Sequence, residues 1–129
     1  MKNLLKTGGL FYWLILINFS LNAQGTDKIR SLKTNYVVQQ LTLSAKDQDK
    51  FLVLYNAYLD ELEAVRKKYP SGSAMDKIER QEGELQLNKS YISKFKSILS
   101  EEKVNKIFGA ENEFNRKLIE ELDKRKSYE

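Results

Sequence analysis

A single proline, Pro70, stands in 129 residues, and of six glycines two fall in the first ten positions. So few breakers leave long stretches free to propagate as helix, and the apolar spacing takes that course. Phe51, Tyr55, Tyr58, Leu62, Val65 and Tyr69 follow one another at steps of 4, 3, 4, 3 and 4. That is a heptad seam held for more than two heptads, and Leu52 and Leu59 widen it into the stripe of a globular helix. Ser44 caps this helix, with Asp47 three residues on as capping-box partner. Pro70-Ser71-Gly72 ends it, because proline has no backbone donor and disfavours helical geometry in the residue before it.

Three further helices are expected on either side. The first runs from Lys28 to about Gln40, capped by Thr26 or Asp27, with Ile29, Leu32, Tyr36, Val37 and Leu41 as its apolar positions. The third begins at a Ser73/Asp76 capping box, and its seam is Ile78, Leu85, Ile92 and Leu99, with Met75 and Phe95 on the same side. Gly83 interrupts it at a cost of about 1 kcal/mol relative to alanine, and is read as tolerated rather than as a bend or a close helix contact. The last is capped by Ser100, with Glu101 and Glu102 favoured by the dipole of the first turn. Its apolar face is Val104, Ile107, Phe108, Phe114, Leu118 and Leu122, and Ser127 to Glu129 are expected to fray. The fold class is therefore all-α, about four helices in two hairpin-like pairs, closed as a small bundle or open as a curved layer.

The N-terminus reads as a secretory signal. Lys2 and Lys6 precede an apolar stretch from Leu10 to Ile17 that continues weakly through Phe19 and Leu21, and Ala23 supplies the small residue before a cut. The apolar core is roughly a dozen residues, whereas a spanning helix needs about 20. A cleaved signal is preferred on that ground to an uncleaved tether in the inner membrane. The expected domains are residues 1–23, the signal, and 24–129, one helical domain in the periplasm. Loss of Lys2 and Lys6 lowers the formal charge from +4 to about +2.

The chemistry the chain lacks narrows its function. It has no histidine and no cysteine, which removes the usual transition-metal ligands, the commonest general base and any disulfide staple. Acids interleave with bases along most of its length, which argues against nucleic acid as a partner. Adjacent acids such as Asp60-Glu61, Glu101-Glu102 and Glu120-Glu121 point in different directions on a helix and make poor catalytic pairs. With no Gly-rich phosphate loop or nucleophile elbow either, the expectation is a protein that is not an enzyme and takes no cofactor, metal or small-molecule substrate. Glu111, on the seam between Phe108 and Phe114, is read as a boundary residue whose head reaches water; the alternatives are a partner contact or a register-setting pair with a Lys or Arg. Most of the aromatic residues are expected in the core.

Two segments carry a resemblance. Leu43-Ser44-Ala45-Lys46-Asp47 leads into a helix with Phe51, Tyr55 and Tyr58, and Leu99-Ser100-Glu101-Glu102-Lys103 leads into one with Ala110, Glu111 and Phe114. In this the chain resembles the LTxxQ-motif, Spy/CpxP-like exported helical proteins, and among them the Bacteroidetes-type members often labelled sensors of extracytoplasmic-function sigma factors. It departs from them in having Ser for Thr in both turns, and Asp47 and Lys103 where Gln or Glu is usual. The resemblance implies a periplasmic helical protein, often dimeric, acting as an ATP-independent chaperone or in envelope-stress sensing. Its partners would be unfolded or specific envelope proteins. A sensor binding one membrane-bound regulator and a self-associating coiled-coil-like scaffold are the alternatives. Read from the residues themselves, the two turns are helix starts.

Overall fold

The computed structural model describes residues 23–70 and 72–127, so the expected signal segment up to residue 22 and the last two residues lie outside the described residues. Among the described residues the protein is all-α, with four helices and no strand. They are α1 (Ala23–Leu41), α2 (Ala45–Lys68), α3 (Ala74–Lys96) and α4 (Glu101–Ser127). Helix α1 starts before the expected Thr26 or Asp27 cap. Gly25 is the only breaker in its first turns, and one glycine lowers helix stability without stopping propagation. Ser127, expected to fray, closes α4.

The other starts are where sequence places them. The Ser44 hydroxyl oxygen accepts from the Asp47 N–H at 3.2 Å, and the Ser73 oxygen accepts from the Asp76 N–H at 3.1 Å. Pro70 stops α2 one residue after its C-cap, Tyr69, whose N–H still reaches the Val65 carbonyl at 3.1 Å. The stop of α1 has a different cause. Thr42 adopts a left-handed backbone with φ 47°, where glycine is usual and a β-branched residue is strained. Thr42→Gly is expected to stabilise the protein by about 1 kcal/mol, since relief of the left-handed penalty exceeds the entropy glycine adds to the unfolded chain. Urea denaturation followed by circular dichroism checks the sign.

The chain divides into two compact units. One, residues 43–104, is built on the α2/α3 hairpin. Its core is a run of aromatic rings with Leu59, Leu62, Leu99 and Val104. Phe51 lies 5.1 Å from Tyr55 and 5.7 Å from Phe95, and Tyr58 lies 5.3 Å from Tyr91, ring centre to ring centre. The pairing is antiparallel: Tyr58 donates its hydroxyl to the Asn88 Oδ1 at 2.6 Å, and nearer the turn Arg66 meets Glu84 at 2.9 Å. Beside the second rung lies Gly83, where a Cβ would stand 3.0 Å from the Val65 Cγ1. Gly83 is thus a close-contact glycine and not a merely tolerated one; any larger residue would push Val65 aside.

The other unit joins the first helix to the last, residues up to 42 with those from 105 on. Tyr36, Val37, Leu41, Ile107, Ala110 and Phe114 are its buried apolar residues. Tyr36 and Phe114 pack at 5.8 Å, and Lys117 lies over the Tyr36 ring at 5.7 Å. Contacts step the same way along both helices here, Lys33 to Glu111 and then Tyr36 to Phe114, unlike the opposed order of the α2/α3 hairpin.

Candidate interaction surface

The motif residues are structural. Ser44 and Ser100 both cap helices, the Ser100 hydroxyl oxygen accepting from the Lys103 N–H at 3.3 Å. Asp47 and Lys103 therefore serve the turns through their backbone, which explains why an acid and a base can occupy equivalent places. Leu43 is half-buried and Leu99 buried beside these caps. Leu99 is turned inward by the closing turn of α3, where its N–H reaches the Phe95 carbonyl at 2.8 Å. Phe51, Tyr55, Tyr58 and Phe114 are all core. Ser44→Ala and Ser100→Ala are each expected to cost about 1 kcal/mol, the usual loss of an N-cap, and thermal unfolding would measure it.

Glu111 differs from its expectation. It is 6% exposed rather than a boundary residue, and its carboxylate meets the Lys33 ammonium at 3.4 Å, with both side chains close to nine-tenths buried. The carboxylate is largely withdrawn from water, and the Lys33 charge beside it offsets the cost of that burial. It is the register-setting pair that the sequence offered as an alternative.

The phenols of the core also mark where polar tips meet carboxylates. The Tyr36 hydroxyl is pushed up to about 12 by burial, then by its hydrogen bond to Glu113 and that carboxylate's charge. Glu113 is itself held below the usual carboxylate range, first by its contact with Lys117 at 3.2 Å. Tyr91 is likewise raised to about 12 by burial, with Glu61 as hydrogen-bond partner. These are matched structural contacts with ordinary function as tethers.

Exposed large apolar side chains cluster elsewhere, on α3, apart from Val53 on α2. The expected seam of this helix is split. Tyr91 and Phe95 are buried against α2, while Met75, Ile78 and Leu85 stand 72%, 56% and 54% exposed. Tyr91 and Phe95 have the larger apolar area and win the inner face, and Gly83 sets the distance at which that face approaches α2. At 100° per residue, the row through Ile78, Leu85 and Ile92 is then centred about 100° round the helix from Tyr91 and Phe95, with the half-buried Ile92 at the border. A second exposed pair, Ile119 and Leu122, lies on α4.

No helix among the described residues is long and apolar enough to cross a membrane. Compared with known proteins, the chain matches no protein-family model, no curated protein and no solved structure.

Proposed function

We propose that this chain is an exported binding protein of the cell envelope that holds unfolded segments of other proteins without ATP and without catalytic chemistry of its own. The observation that supports the reading is the outer face of α3, where Met75, Ile78 and Leu85 stand in a helical row and remain exposed. A small helical unit gains about 25 cal/mol for each Å² of apolar area it removes from water, so a row left outside is a cost unless something covers it. Glu79, Glu82, Lys77 and Lys89 interleave with the row. They would attract charged stretches of a client first and keep each apolar contact short, so that binding is broad and release needs no energy source. The secretory pattern of the N-terminus and the resemblance to the Spy/CpxP-like proteins support the periplasm as the place.

The test is whether stoichiometric protein suppresses aggregation of two unrelated denatured proteins at low and moderate salt. Suppression of both, weakened by salt and lost in Leu85→Glu with unchanged melting temperature, is expected. Failure with either client in every salt condition would sink the general holdase.

A further inference from the structure

Met75 carries the single sulfur among the described residues, because the chain has no cysteine and its other methionine is Met1. The chain also has no histidine, and its one tryptophan, Trp13, lies outside the described residues. Thiol, imidazole and indole are thus missing from the described part of the protein, and one thioether is left to meet an oxidant. Phenols compete poorly for it, since Tyr36, Tyr55, Tyr58 and Tyr91 are buried and Tyr69 is half-buried. Met75 itself is 72% exposed, in the first turn of α3 just after the Ser73 cap. Ile78 follows three residues on, so the two side chains are neighbours on the helix surface. Met75 therefore opens the outward apolar row that continues through Ile78 to Leu85.

We propose that Met75 is an oxidation site, and that its conversion to the sulfoxide turns down apolar binding on the outer face of α3. The oxidant is a two-electron oxygen donor, hypochlorous acid or hydrogen peroxide. The sulfur lone pair attacks the oxygen, an S–O bond forms, and the O–Cl or O–O bond breaks. Sulfur gives up two electrons, and the oxidant leaves as chloride and a proton, or as water. The side chain changes from flexible and apolar to polar and chiral, with an acceptor oxygen on the sulfur. A partner laid over Met75 and Ile78 then has to bury an acceptor without a donor, which weakens the contact. Leucine in this place would offer similar apolar area with none of this chemistry, so the thioether is what makes the row sensitive. Reversal needs two thiols, which join as a disulfide while the sulfoxide oxygen departs as water. This chain has no thiol, so a separate dithiol reductase restores the thioether. The fold is indifferent to the exchange, because Met75 lies outside the core. The inference rests on reading the outer face of α3 as a binding surface.

The protein as purified from expressing cells is treated with equimolar hypochlorous acid and mapped by peptide mass spectrometry. One added oxygen on the peptide that carries Met75 is expected, with lysines and tyrosines unmodified. Circular dichroism and the melting temperature should not change. The protein concentration that half-suppresses client aggregation, and the half-saturation of the apolar dye anilinonaphthalene sulfonate, should each rise about three- to tenfold. Methionine sulfoxide reductases of both epimer specificities, with dithiothreitol, should restore both readings. Met75→Leu should bind as the parent does and ignore the oxidant, and Met75→Gln should bind weakly without it. Modification of lysines and tyrosines with Met75 spared, unchanged binding by the oxidised protein, or an equal loss in Met75→Leu would each overturn the inference. Where untreated protein binds dye but no client, the holdase reading falls alone, and the dye still reads the effect of oxidation. Untreated protein that binds neither overturns both.

Discussion

Phe95→Ala is expected to destabilise the protein by about 3–5 kcal/mol, whereas Leu85→Ala on the same helix is expected to change stability by no more than about 0.5 kcal/mol. The two residues are both large and apolar, so composition gives no reason to separate them. Their surroundings do. Phe95 is fully buried, with its ring 5.7 Å from Phe51, 6.0 Å from Tyr91 and 6.4 Å from Tyr58. Its removal takes away the transfer free energy of the ring and leaves a cavity among neighbours that are themselves rigid rings. The edge-to-face contact with Tyr58, at 69° between planes, is lost as well. Leu85 is 54% exposed and gives up little. Urea unfolding of the two variants measures the contrast. If the heptad row of α3 faced the core, the order would reverse, with Leu85→Ala the costly change.

Glu111→Ala should cost about 3–5 kcal/mol, and Lys33→Ala a similar amount, while Lys33→Met with Glu111→Leu should come back to within about 1 kcal/mol of the parent or above it. The asymmetry follows from the physics of a buried pair. Either single change removes the ion-pair contact from a group that is largely withdrawn from water, at side-chain exposures of 12% for Lys33 and 8% for Glu111. The double change removes both desolvation penalties and fills the space with apolar volume. A double-mutant cycle in thermal or urea unfolding reads the coupling, which should exceed that of the exposed Arg116–Glu120 pair at 2.8 Å several-fold. Equal and small losses for both pairs would mean that water reaches Glu111 after all.

Such a pair joins residues 78 positions apart, and no local rule links them. What sequence alone determined is the local part of the protein. The all-α class follows from one proline and the 3-4 spacing of apolar residues. The starts of α2, α3 and α4 follow from Ser44, Ser73 and Ser100, because a cap is a contact between a side chain and a backbone N–H three residues away. The aromatic core of α2 was legible for a related reason. Phe51, Tyr55 and Tyr58 have no competing apolar row on their helix, so only one face can turn inward.

Tertiary structure decided the rest. Helix α3 carries two apolar rows, and periodicity cannot rank them; the choice fell to Tyr91 and Phe95 because their rings meet those of α2, with Gly83 admitting the close approach. Leu99, in register with the outward row, turned inward because α3 ends at Lys96 and the chain bends back. Glu111 was judged from its own helix, where a seam carboxylate suggests an edge, but its burial depends on Lys33 of α1 arriving beside it. Each of these outcomes turns on which surfaces meet across the sequence. Local patterning specifies which residues can be inside, and only packing between distant segments selects which of them are.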